Sequence, residues 1–298
     1  MAFTYTVDQM LESIKMRARI PASQTTYTDA KLRRLIDEEL ELHVLPRLMK
    51  VRENYFLVEE DESIVSGTAE YRIPDRAAGG KISVLKMVDA QDNEKLMHQI
   101  PYEDALNYQN GDYNEPRFYI KGNNIVLVPT PNRSTDRLRW GYYRKPSSCV
   151  ELSAVGTITN IDTSLNKITV SAMPSTITSS TPVDLVRSSG GFECLAINQS
   201  VAVVGNTATF SSLPAGLEVG DYLCLAEETP VPQIPADIHS YLTLRVAKVV
   251  LEGLGFLKEA DNFEKDLKLA ESIFDSLLTP RTDGNPKKII NWFSPHRR

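Results

Sequence analysis

Amphipathic helical patterns stand at both ends of this chain, and between them, over residues 150–230, lies a charge-poor stretch rich in Thr, Ser and Val. A short amphipathic helix cannot bury its apolar stripe alone, so the helices at one end need a partner, and those at the other end can supply it. The expected fold class is therefore α+β: a discontinuous helical bundle of N- and C-terminal helix pairs, a small antiparallel sheet, and an inserted all-β domain. The expected boundaries are 1–149 for the first half of the bundle plus the small sheet, and 150–230 for an inserted β-sandwich or barrel. Residues 231–279 then form the second half of the bundle, and 280–298 an extended tail.

The helical ends carry local signals. Thr6-Val7-Asp8-Gln9 has the form of a capping box, and Val7, Met10, Leu11 and Ile14 follow at helical spacing. Thr28 or Asp29 caps a second helix, whose inner side is marked by Leu32, Leu35, Ile36, Leu40 and Leu48, with Pro46 kinking its last turns. Near the other end, Thr229-Pro230-Val231-Pro232-Gln233-Ile234-Pro235 reads as a stiff extended connector. A third helix starts near Asp237 and stops at Gly253-Leu254-Gly255. A fourth carries Phe263, Leu267, Ala270, Phe274 and Leu277 on one side.

Residues 55–60, 71–73, 81–88, 117–121, 125–129 and 138–144 read as strands of one small sheet, with Gly122-Asn123 as a hairpin turn and residues 76–80 as a flexible turn. Within the insert, Asn166-Lys-Ile-Thr-Val-Ser-Ala-Met-Pro174 echoes Asn206-Thr-Ala-Thr-Phe-Ser-Ser-Leu-Pro214, which implies two similar strand-and-turn units. Residues 220–225 look like the closing strand.

Charge is unevenly placed. Residues 150–230 hold eight acids against two basic residues, which equals the formal net charge of −6 for the whole chain. The tail from Arg281 holds five basic residues against one acid. No apolar run approaches a membrane span and the first residues do not resemble a secretory signal, so a soluble protein without a membrane is expected. Cys149, Cys194 and Cys224 form an odd, widely spaced set suited to buried apolar roles, and His43, His98, His239 and His296 share no metal-ligand spacing. No nucleotide, protease or hydrolase motif is present, so no cofactor, metal or catalytic site is expected. Arg72, Arg76, Lys81 and Lys86 with Tyr71 form a candidate basic patch. In an acidic chain this suits passing DNA better than dedicated binding. Glu59, Glu60, Asp61 and Glu62 could hold a hard cation, but read better as a solvated run.

The sharpest candidate for partner docking is the tail. Lys287, Lys288, Ile289, Ile290, Trp292, Phe293, Arg297 and Arg298 place apolar and aromatic anchors inside a basic rim, flanked by prolines. Such a segment is too short to bury those side chains by itself and suits a groove on another protein; folding back onto its own core is the alternative.

With these elements placed, the chain resembles the bacteriophage head-to-tail connectors, the portal adaptors of short-tailed phages. The resemblance rests on Thr28-Asp29-Ala30-Lys31-Leu32, Leu45-Pro46-Arg47-Leu48-Met49-Lys50, Tyr71-Arg72-Ile73-Pro74-Asp75-Arg76, Arg117-Phe118-Tyr119-Ile120 and the last helix pair with its tail. It implies a structural protein of the virion, at the head-tail junction, assembled in the host cytoplasm. Its implied partners are a homo-oligomeric ring of 12 copies, the portal protein, a tail nozzle or tube protein, and tail fibres or spikes, with DNA passing through without specific binding. Two rival expectations are a virion-carried cell-wall hydrolase with Glu103 or Glu59 as its acid, and a tail-tube or gatekeeper ring subunit.

Overall fold

The computed structural model describes residues 5–21, 24–52, 54–108, 115–189 and 194–278, with the backbone alone for Leu277 and Leu278. The chain is mixed α+β, with a few helices and several antiparallel sheets.

α1 (Val7–Arg17) begins on a capping box. The Thr6 hydroxyl accepts the Gln9 N–H at 3.3 Å, and the Gln9 side chain accepts the Thr6 N–H at 3.1 Å, so two donors that a helix start leaves orphaned are satisfied. α2 (Asp29–Glu39) starts on the Thr28 side chain and runs through a π-helical turn, Leu40–Val44, into α3 (Leu45–Val51). Pro46 explains that turn. In a regular α-helix its ring would press on the carbonyl four residues back. Here the Leu45 N–H reaches the Leu40 carbonyl, and the widened turn gives the ring room. The expected kink is thus absorbed as a π-turn ahead of the proline.

Next come β1 (Leu57–Ser63), β2 (Glu70–Arg72), β3 (Ala77–Val88), β4 (Glu94–Leu96), β5 (His98–Gln99), the short α4 (Ala105–Tyr108), β6 (Arg117–Lys121), β7 (Asn124–Val128) and β8 (Arg137–Arg144). They form two four-stranded sheets, ordered β1-β8-β3-β4 and β2-β7-β6-β5, where one sheet was expected. Tyr71, Leu85, Phe118, Leu127 and Trp140 belong to one buried cluster, so the two sheets close on a shared core. Of the expected flexible turn at residues 76–80, Arg76 is in a turn and residues 77–80 are instead the start of β3. Gly79 and Gly80 take φ of +61° and +64°, and the pairing of β3 with β8 slips between Ala77 and Ile82.

The third sheet gathers β10 (Gly156–Asp162), β11 (Lys167–Val170), β12 (Val183–Val186), β13 (Cys194–Gln199), β14 (Ala202–Val204), β15 (Thr207–Thr209) and β16 (Tyr222–Leu225). Its order is β13-β12-β16-β10-β11-β15-β14. The two outermost strands are consecutive pieces of one stretch of chain, so the sheet curls into a barrel-like unit, called the barrel below, around Ile158, Ile168, Val170, Val183, Leu185 and Leu223. The strand at residues 222–225, expected to close the unit, lies between β12 and β10. The sequence echo has a geometric meaning. β11 and β15 pair with each other, Ile168 opposite Ala208, and the bonds Phe210 N–H to Asn166 O and Val170 N–H to Asn206 O, both 2.9 Å, are mates across a pseudo-twofold axis.

α5 (His239–Gly253) and α6 (Leu257–Leu278) follow, turned at Gly255 with φ +82°. α1 and α2 pack on α5, while α6 packs on α3 and α5. One buried cluster accordingly holds Met10, Ile14, Leu32, Ile36, Leu242 and Leu267, from both ends of the chain. The proline-rich connector is not a free spacer. Residues 229–234 are buried, and the Pro230 carbonyl accepts the Val7 N–H at 2.8 Å.

Candidate functional site

The eight tail residues singled out above lie outside the described residues. The other residues marked in the sequence are placed. β1 is a strand with two differently used faces. On one, Glu59 pairs with Lys86 at 2.9 Å, and Asp61 takes Arg139 at 2.7 Å and Arg137 at 2.8 Å; Arg139 and Lys86 also hold Glu94. The Arg139 guanidinium holds the Asp61 carboxyl below its usual range. On the other face, Glu60 accepts the Tyr142 hydroxyl at 2.7 Å and Glu62 the Trp140 indole N–H at 2.9 Å; burial pushes the Glu62 carboxyl up. The acidic run is exposed at Glu59, Asp61 and Glu62, as a solvated segment should be, but it is a hydrogen-bonded strand and not a loop.

The candidate basic patch does not assemble. Arg76 is buried, Lys86 sits in the ion-pair lattice, Arg72 pairs with Asp75 at 2.7 Å, and Tyr71 is in the core with its hydroxyl accepting the Val65 N–H. Among the described residues, Glu103 lines a groove beside α4, while Glu59 on β1 is ion-paired with Lys86. Among these same described residues, no group of three or more His, Cys, Asp or Glu is placed to hold a metal ion, and no helix is long and apolar enough to cross a membrane.

What the surface does offer is unpartnered apolar side chains. On α6, Phe274 and Leu267 point into the core, while Leu269 and Ile273, spaced as neighbours on a helix face, are exposed. A groove of about 730 Å³ runs between the π-turn, α3, α5 and α6. It is lined by Leu42, Pro46 and Val51 together with Arg47, Glu271 and Asp275. Arg47 donates to both Asp275 carboxylate oxygens, at 3.0 and 2.7 Å, fixing α3 against α6. A second groove of about 540 Å³ lies beside α4, bordered by exposed Tyr102 and Leu106.

The most elaborate polar construction joins the barrel to the rest, and the sequence did not suggest it. Entry strand β9 (Ser148–Cys149) and exit strand β17 (Glu228–Thr229) run parallel and pair. Asp37 on α2 accepts the Cys149 N–H at 3.0 Å, and Asp8 on α1 accepts the Leu152 N–H at 3.1 Å. Burial raises the Asp37 carboxyl to about 6. Fully buried His239 accepts the Tyr5 N–H at Nδ1, so its Nε2–H donates to the Ile234 carbonyl, 3.1 Å each. Burial lowers its pKa and keeps it neutral. Arg76 reaches Asp184 of β12 at 2.8 Å and Ser147 at 3.0 Å. Asp184 also accepts the Asn198 and Glu227 N–H groups, at 2.9 and 3.1 Å. Cys149 and Cys224 are buried and Cys194 is half-buried; burial raises all three thiols.

A search of curated proteins finds no match. A protein-family model described as SU10 adaptor protein matches residues 5–185, from the first described helix through both four-stranded sheets to the first half of the barrel.

Proposed function

The chain belongs to the SU10 adaptor protein family, a family of phage structural adaptors, and from that premise we propose that it forms a ring beneath the portal, linking capsid to tail. The observation that carries the reading is the family match over residues 5–185, which spans more than half of the chain. Helices from both ends act as one bundle in each subunit. Ring neighbours cover the apolar faces that a lone subunit leaves open, Leu269 and Ile273 among them. Twelve copies match a twelve-fold portal. The tail residues Lys287, Lys288, Ile289, Ile290, Trp292, Phe293, Arg297 and Arg298 dock on the portal, where many weak contacts filled together add avidity. A tail nozzle or tube protein binds the opposite side, and the barrel faces tail fibres or spikes. Packaged DNA passes without specific binding, which suits a sheet face whose Lys86, Arg137 and Arg139 are already held by carboxylates. The protein is thus a virion component assembled in the host cytoplasm.

The test is to mix the full chain with its portal protein and follow co-sedimentation and negative-stain images. Rings capping the portal are expected. Deleting residues 286–298 should abolish capping while the circular-dichroism melt stays unchanged. Capping that survives the deletion refutes the tail's role, and stacked rings without portal affinity refute the adaptor reading.

A further inference from the structure

Among the described residues there are three main apolar cores, one in the helices, one between the paired sheets and one inside the barrel. Where the barrel meets the rest, the apolar contact is small: Val155, Val186, Tyr222, Cys224 and Val231, with Val150 and Cys194 alongside. Elements with separate cores open separately when the contacts between them are few. The junction instead concentrates buried polar groups.

Arg76 is the centre of that concentration. Its carbonyl accepts the Lys145 N–H at 2.9 Å, and its guanidinium bonds Ser147 on the way into the barrel and Asp184 inside it. Arg76 is 4% exposed and Asp184 fully buried. Ser147 is held from the other side, its N–H donated at 2.9 Å to Gln233, whose amide in turn donates to the Cys194 sulfur at 3.1 Å. One arginine therefore ties the paired sheets, the entry segment and the barrel wall. An apolar contact of this size would allow the barrel to rock. Hydrogen bonds to a planar guanidinium accept a narrow range of directions.

We infer that Arg76 and Asp184 form a latch that holds the barrel at one angle to the helices and paired sheets. When it is broken, the barrel stays folded but pivots on the ribbon of β9 and β17. Asp184 keeps two backbone N–H donors from the barrel itself, so losing Arg76 leaves the barrel's own bonds in place. The inference stands apart from ring formation and portal docking, since it concerns the isolated subunit.

The experiment uses the full chain. Arg76→Met keeps much of the side-chain length and removes the charge. Hydrogen exchange should rise at least tenfold at the amides of residues 147–150 and of Glu228, Thr229 and Val231. Protection within β10, β11, β15 and β16 should be unchanged, and small-angle scattering should show a larger radius of gyration. Asp184→Asn, which keeps one acceptor oxygen and so also loses the Asn198 or the Glu227 bond, should show the same loosening at the ribbon together with faster exchange at the Asn198 or Glu227 amide, and no further loss in the barrel. Loss of protection throughout the barrel in the variants overturns the latch, because the pair is then part of the barrel's own stability. Unchanged exchange and scattering overturn it equally, and so does failure of both variants to fold.

Discussion

Replacing Asp37 by Asn should stabilise the protein at pH 8 and do little at pH 4. Burial raises this carboxyl from the usual 3.8 to about 6, against the lowering effect of its bonds to Cys149. The sign follows from linkage. The folded state holds the proton more tightly than the unfolded chain, so the stabilising contribution is complete below pH 3.8 and is lost as pH rises through about 6. One pH unit corresponds to about 1.4 kcal/mol. The gap between 3.8 and about 6 therefore sets a ceiling of about 3 kcal/mol on what ionised Asp37 costs at neutral pH. Asp37 is only half-buried, so solvent screening trims this, and Asn gives up the charge-assisted bond to the Cys149 N–H, worth about 1 kcal/mol. A net gain of about 1 kcal/mol remains at pH 8, a melting point higher by a few degrees. His239 acts oppositely: its lowered pKa gives stability that is present above the usual 6.5 and lost as pH falls. The raw profile mixes both groups, and the difference between Asp37→Asn and wild type isolates Asp37. Thermal melts at half-unit steps from pH 4 to pH 8 would show the two curves diverging upward. A variant that melts below wild type at pH 8, or tracks it in parallel, would refute burial as the cause.

Three further outcomes are expected. Gly253→Ala places a methyl group on the Tyr27 hydroxyl at the end of α5, and should cost about 1–3 kcal/mol in urea denaturation, with the cost reduced when Tyr27→Phe removes the hydroxyl. Glu39→Gln leaves the half-buried Arg245, now 2.7 Å from that carboxylate, without its counter-charge, and should lower the melting point by about as much as a 2 kcal/mol loss requires, more at low salt than at high salt. Ile168→Ala empties fully buried space in the barrel and should cost about 2–5 kcal/mol, read by hydrogen exchange that rises in the barrel and not in α5.

Local signals were legible and distant ones were not. The capping box at Thr6 and Gln9 is a pattern four residues long, and the repeated Asn-to-Pro stretches pair as β11 and β15 because a repeat encodes the same strand twice. The number of sheets was harder, since the alternation of Leu138, Trp140 and Tyr142 says that a strand has an inner face and not which strands lie beside it. Arg76 misled for a physical reason. An arginine three residues before paired glycines looks like a solvated turn, and its partner Asp184 lies 108 positions away, beyond any periodicity. The tail proposed to dock was legible as composition alone, and its residues lie outside those described.

The same contrast bears on why the junction is polar. Replacing a buried ion pair with apolar side chains of similar volume often leaves stability unchanged or improves it, so Arg76 and Asp184 are poorly explained as a source of stability. Their geometry explains them better: Asp184, held in place within the barrel by the Asn198 and Glu227 N–H groups, meets Arg76 of the paired sheets at one barrel orientation. A barrel turned on its ribbon would strand a buried charge on either side, at a cost of several kcal/mol, whereas an apolar seam would lose only area in proportion to the slip. That difference in steepness is what a structural protein needs if an inserted barrel is to present the same face in every copy of an assembly.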